Sequence, residues 1–158
     1  MARNTRRMPV SRDDLWSTLS DGRSYAGWVV GTSAIRDVDE NWPQLGSRLH
    51  YRVGRGPLRH DGHTEVKSVD PGRCLELEAH AWPLGSVRIE FTLHDDGDGT
   101  LVELVEHPAK GTAAMLHNPV GDVLLKLRNV ETLRRLEVET RRRLGVETRR
   151  RLEPPAQR

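Results

Sequence analysis

Residues 75–104 read LELEAHAWPLGSVRIEFTLHDDGDGTLVEL, and their spacing decides the fold. Leu75, Leu77, Ala79 and Ala81 alternate with Glu76, Glu78 and His80. After Pro83-Leu84-Gly85, Val87, Ile89, Phe91 and Leu93 alternate with Arg88, Glu90, Thr92 and His94. After Asp95-Asp96-Gly97-Asp98-Gly99, Val102 and Leu104 resume the alternation. A side-chain period of two belongs to strands with one face buried. The interruptions are turn chemistry, because Gly supplies positive φ and Pro fixes φ in advance. The gaps are too short for crossover helices. The strands therefore form an antiparallel meander with one apolar and one solvated face.

The same pattern extends upstream. Leu49, Tyr51 and Val53 alternate with His50 and Arg52 and end at Gly54-Arg55-Gly56-Pro57; Thr64 is in phase with Val66, and Asp70-Pro71-Gly72 is another turn. Before them, Ser11-Arg12-Asp13-Asp14 reads as a capped helix start, with Ser11 at the N-cap and Asp14 three residues on. Leu15, Trp16 and Leu19 give that helix its apolar face, Asp21-Gly22 ends it, and a second short helix fits Ser24 to Trp28. Arg3 to Met8 supplies a first strand. Downstream of Pro108 the period changes. Asn118-Pro119 is a helix entry, and Leu116, Val120, Val123, Leu124, Leu127 and Val130 share one stripe at ~100° per residue. A sheet with one apolar face must be covered. The helix from Asn118 to Leu136 is the element large enough to do so, and its stripe is expected to face the sheet. The fold class is α+β: a curved antiparallel sheet of about seven strands (one strand, two short helices, six strands) around a long C-terminal helix, with an internal cavity.

The net charge of +2 conceals an asymmetry. From Val130 to Arg158 there are nine arginines against five glutamates, so the tail is basic and the body slightly acidic. Three copies of a Val-Glu-Thr octad start at Val130, Val138 and Val146. Eight residues drift ~80° around a helix per copy, so the repeat keeps no single apolar seam and is not a coiled coil. Glu139 and Glu147 precede Arg143 and Arg151 by four, the favourable order for helical ion pairs. The expected organisation is a domain over 1–137 and a solvated helical extension over 138–158, fraying at Pro154-Pro155. No aromatic residue interleaves with the tail arginines, so nucleic acid is not the expected partner. Cys74 is the one cysteine. The basic N-terminus leads into no apolar run, and no stretch is long and apolar enough to span a bilayer. A cytoplasmic protein without membrane insertion is expected, as a monomer or weak homodimer.

Several segments carry a family resemblance. They are Asp14-Leu15-Trp16-Ser17-Thr18-Leu19-Ser20-Asp21-Gly22 with Tyr25 and Trp28, Gly46-Ser47-Arg48-Leu49, Val69-Asp70-Pro71-Gly72-Arg73, Gly99-Thr100-Leu101-Val102-Glu103, and Arg128 to Leu136 in the long helix. The chain from about Arg3 to Leu136 resembles the SRPBCC (START-like) superfamily, and within it the polyketide cyclase/dehydrase and lipid-transport group. The resemblance implies the helix-grip fold and a cavity for a small ligand. It implies no catalytic motif, since the shared residues build caps, turns and core.

The residues themselves narrow the chemistry. His60-Asp61-Gly62-His63 is the tightest histidine cluster, but a zinc site needs three or four converging ligands, and the segment reads as a polar turn; no metal and no cofactor are expected. There is no G-x-S-x-G elbow, no P-loop and no dinucleotide fingerprint. What remains is the cavity, an apolar space with a few polar groups. The ligand-binding candidates are Trp28, Tyr51, Thr64, Phe91, Leu104, Glu106, Val120, Leu124, Leu127 and Glu131, with Glu106 and Tyr51 as candidates for proton transfer. The expected function is binding or transport of a small hydrophobic or aromatic molecule. The alternatives are a metal-free enzyme of the polyketide cyclase/dehydrase type, acting on a poly-keto or aromatic substrate, and a protein-interaction module.

Overall fold

The computed structural model describes residues 1–54, 56–81, 85–110 and 119–152. Seven strands, β1 (Ala2–Met8), β2 (Thr32–Val38), β3 (Arg48–Val53), β4 (His60–Asp70), β5 (Cys74–Ala81), β6 (Gly85–Asp96) and β7 (Gly99–Lys110), form one sheet in the order β1-β7-β6-β5-β4-β3-β2. Every pairing is antiparallel. Between β1 and β2 lie α1 (Arg12–Leu19), a 3-10 turn at Gly22–Ser24 and α2 (Tyr25–Trp28); after β7 comes α3 (Pro119–Leu152). This is the expected curved sheet with a long C-terminal helix. Ser11 caps α1 as its chemistry requires: its Oγ accepts from the Asp14 N–H at 3.1 Å and donates to the Asp14 carboxylate at 2.6 Å.

The alternation fixes the register. Val66, Leu77, Ile89, Glu106 and Ala2 stand opposite one another across five strands, and Leu75, Phe91, Leu104 and Asn4 form the next rung. All point to the concave face. Its floor is sealed by Leu75, Leu77, Leu93 and Val102, against which Trp28, Leu15 and Leu19 pack. Strand β2 departs from the alternation. Ile35 and Val38 are three apart, and two register shifts interrupt its pairing with β3. An edge strand with one unpaired side need not alternate. His60-Asp61-Gly62-His63 lies inside β4, not in a turn. The chain reverses earlier, through Gly54 and the 3-10 turn at Gly56–Leu58.

Helix α3 docks differently from the expectation. It packs chiefly on β1, α1 and α2 and only lightly on β7. Its buried face is Asn129, Thr132, Leu133, Leu136, Glu137 and Thr140. The described members of the stripe assigned to the sheet point outward instead: Val123 is 55%, Leu127 60% and Val130 51% exposed. The cause is partner chemistry. β1 offers Arg6, which donates to Glu137 at 2.7 Å. α1 offers Thr18, whose hydroxyl meets that of Thr140 at 2.9 Å. The chain after α2 offers the Val30 N–H, which donates to Thr132 at 3.4 Å. Polar side chains thus form much of the buried face. Docking also continues past residue 137. Arg143 pairs with Asp21 at 2.6 Å and Leu144 packs on the core, whereas residues 145–149 are exposed. The solvated part of the helix therefore begins near Gly145, later than the boundary expected from the sequence.

Arg55, Pro83, Leu84, Leu116, Asn118, Pro154 and Pro155 lie outside the described residues, as do the side chains of Val120 and Leu124. Among the described residues no helix is long and apolar enough to cross a membrane.

Candidate functional site

Glu106 is the one charged residue on the rung it shares with Val66, Leu77, Ile89 and Ala2. Only 3% of it is exposed. A carboxylate among apolar neighbours requires donors, and α3 brings two. Arg128 donates from Nη2 to Oε1, and Asn129 donates from Nδ2 to Oε2 at 3.2 Å. Both carboxylate oxygens are engaged. The Arg128 side chain remains 42% exposed, and one of its five N–H groups is committed to Glu106.

Tyr51, on β3 with three strands between it and β7, is buried on the same face. Its ring lies over Gly62 of β4, where a Cβ would come within 2.9 Å of Cε2 and 2.6 Å of the His80 carbonyl oxygen. Glycine is required there because the aromatic ring occupies the space of a side chain. The Tyr51 hydroxyl has a long contact, 3.5 Å, to the His80 carbonyl. Burial pushes its pKa above the ordinary phenol value, while the Thr64 hydroxyl and the positive charge of Arg128 oppose the rise. Tyr51, Thr64, Glu106 and Arg128 thus share the concave face. Beside them Val53, Ala79, Val87 and Ile89 are only half-buried, unlike the sealed floor. This end of the concave face combines accessible apolar surface with three hydrogen-bonding side chains and one cation.

The other candidates are placed differently. Trp28 is fully buried, 4.4 Å from the Tyr25 ring and edge-on to Phe91 at 5.8 Å, with its Nε1 donating to Ser24 at 3.0 Å. Phe91 and Leu104 are likewise packed core. Leu127 faces outward. Glu131 is turned away from the sheet, bound by Arg134 and Arg135 at 2.7 Å each, and these two guanidinium groups hold its pKa down to about 2. Val120 and Leu124 lie on α3, with side chains outside the described residues. Arg128 and Asn129 were not among the candidates. Their signal was indirect: a lone carboxylate in an apolar rung demands a donor, and Asn129 stands one helical turn before Leu133 on the buried side, with Arg128 next to it at the margin.

Elsewhere the chemistry is sparse. Among the described residues no group of three or more His, Cys, Asp or Glu is arranged to hold a metal ion. His50, His63 and His80 form a row on the convex face, with ring centroids 5.9 and 4.6 Å apart and the second pair stacked. Burial, followed by the His80, Arg48 and His50 charges, pushes the His63 pKa down. Burial and the Glu90 carboxylate raise the Cys74 thiol pKa, the opposite of activation. A groove of about 430 Å³ runs between α1 and the end of α3, lined by Ser17, Thr140, Arg142 and Leu144 among others.

Residues 2–144 match the family model described as "Polyketide cyclase / dehydrase and lipid transport". No curated protein matches. Solved structures match in fold. The Zhui aromatase/cyclase from Streptomyces sp. R1128 superposes with a TM-score of 0.64 at 19% identity, over 90% of this chain and 94% of that one. Ara h 8.0201 gives 0.68 at 14% identity, over 87% and 95%. DynU16, described as a putative protein in the dynemicin biosynthetic locus, gives 0.63 at 19%; the match takes in 86% of this chain but only 45% of the DynU16 chain.

Proposed function

Since the chain belongs to the polyketide cyclase/dehydrase and lipid transport family, we propose that it binds or carries a small hydrophobic or aromatic molecule on the concave face, between β3–β7 and the first turns of α3. The observation that carries this reading is the contrast within one face. Its floor is sealed, while Val53, Ala79, Val87 and Ile89 remain half-buried beside Tyr51, Thr64, Glu106 and Arg128. An apolar surface with a few convergent polar groups is the usual form of a ligand site. The test is a panel of aromatic and aliphatic compounds assayed for binding and for conversion. Saturable binding without conversion is expected. With Glu106→Gln the affinity for neutral ligands should change by about 1 kcal/mol, the scale of one net hydrogen bond.

An enzyme of the cyclase/dehydrase type is the second reading, and the buried Tyr51 hydroxyl, whose ionised form the Arg128 charge favours, supports it. Glu106 is the weaker proton-transfer candidate, because both its oxygens already accept hydrogen bonds. In that case Tyr51→Phe should lower turnover by ~10²–10⁴ while binding survives. Absence of conversion across the panel by the unmodified protein would end this second reading.

A further inference from the structure

We infer that the Glu106–Arg128 pair sorts ligands by charge, so that the site accepts neutral molecules carrying a carbonyl or phenolic oxygen on an apolar body and rejects carboxylate anions. This rests on the ligand-binding reading and narrows it to a chemical class.

Glu106 comes from β7 and Arg128, bound to it, from α3; Tyr51 on β3 and Thr64 on β4 lie on the same face of the sheet, and the Arg128 charge is felt at the Tyr51 hydroxyl. The pair is neutral as it stands. Glu106 is almost wholly removed from water, so separating it from its cation would leave a buried charge uncompensated. An anionic ligand seeking Arg128 must either displace Glu106 or share the guanidinium with it. Both outcomes leave two carboxylates against one cation in a medium of low dielectric, which disfavours the ionised forms. A neutral ketone or phenol meets no such opposition. It can accept from the Arg128 N–H groups that Glu106 does not use, and the Tyr51 and Thr64 hydroxyls can donate or accept. Its apolar body would lie on Val53, Ala79, Val87 and Ile89. A plain hydrocarbon covers the same surface but leaves those donors without a partner. The expected order of affinity is therefore neutral oxygenated ligand, then hydrocarbon, then anion.

The experiment uses the whole chain and a size-matched series: tetralin, 1-tetralone, 2-naphthol and 2-naphthoate, titrated near neutral pH by calorimetry. The ketone or the phenol should bind about tenfold or more tighter than tetralin, the scale of a hydrogen bond to a charged group, and the naphthoate should bind weakest. Glu106→Gln keeps the shape and frees the cation. It should raise naphthoate affinity by about tenfold and change 1-tetralone binding by less than about fivefold, within one net hydrogen bond. If naphthoate binds the unmodified protein as tightly as 1-tetralone, or tetralin equals the ketone, charge sorting is overturned while ligand binding stands. If no member of the series binds, both are overturned. Those outcomes need only the unmodified protein, so a Glu106→Gln chain that fails to fold does not shield the inference.

Discussion

The two halves of α3 invert the ordinary link between hydrophobicity and burial. From Val123 to Val130 the helix turns Val123, Leu127 and Val130 to the outside. From Thr132 to Leu144 it buries Thr132, Glu137 and Thr140 together with Leu133 and Leu136. The difference is in what each half meets. The second half lies on β1, α1 and α2, which supply Arg6, Thr18 and the Val30 N–H as partners for its polar groups. The first half meets the sheet through Arg128 and Asn129, which turn inward to satisfy Glu106. A buried carboxylate on the sheet thus sets which side of the helix faces it. Turning the apolar stripe inward instead would carry Arg128 and Asn129 away and leave that charge unpaired.

The sharpest way to break the comparison is a pair of truncations. Leu136 is fully buried, so Leu136→Ala should cost about 2–5 kcal/mol in urea unfolding, as cavity-forming core substitutions do. Leu127→Ala should stay within about 0.5 kcal/mol, as for exposed sites. A loss at Leu127 comparable to that at Leu136 would mean that the stripe is covered.

Much of the fold was legible because the meander repeats a period of two with turn residues between its runs, and the Ser11–Asp14 cap, the two short helices and the long helix each carry local signals. β2 was not, since an edge strand with register shifts answers to one neighbour only. The segment around Gly62 misled because glycine ordinarily marks a turn, whereas here its missing side chain makes room for the Tyr51 ring. Of the candidate site, Tyr51, Thr64 and Glu106 follow from strand phase, and all three fall on one face of the sheet. Leu127 and Glu131 did not, because helical periodicity defines a stripe without saying which stripe meets the sheet. Arg128 and Asn129 could be found only by asking what satisfies Glu106.

Deletion series sharpen the comparison along the helix. Removing residues 145–158 should leave unfolding stability nearly unchanged, because residues 145–149 are exposed. Removing 138–158 also takes away the Thr140–Thr18 bond, the Arg143–Asp21 pair and the packing of Leu144. That loss should cost about 2 kcal/mol or more, from one buried hydrogen bond and part of one apolar side chain. Equal melting curves for the two deletions would place the end of the docked helix at residue 137. Within the docked part, Thr140→Val keeps the shape and removes one hydroxyl. Its cost should be about 1 kcal/mol, softened because the Thr18 hydroxyl also donates to the Asp14 carbonyl at 3.3 Å.

The smallest effect is expected where the two halves join. Glu131 sits on the exposed side of α3, held by Arg134 and Arg135, and its pKa falls from 4.5 to about 2. Between those values the unfolded chain takes up a proton that the folded chain refuses. Its contribution to stability is therefore fully present above about pH 4.5 and declines as the pH falls toward about 2. The ions are exposed to solvent, so the contribution is small and yields to salt. Glu131→Gln should flatten a small part of the acid limb of stability at low salt. The difference from the unmodified protein should vanish in about 1 M salt, where the Debye length is about 3 Å. A loss that persisted in high salt would mean that Glu131 belongs to a buried network, and the outer side of α3 would then have to be covered at this turn as well.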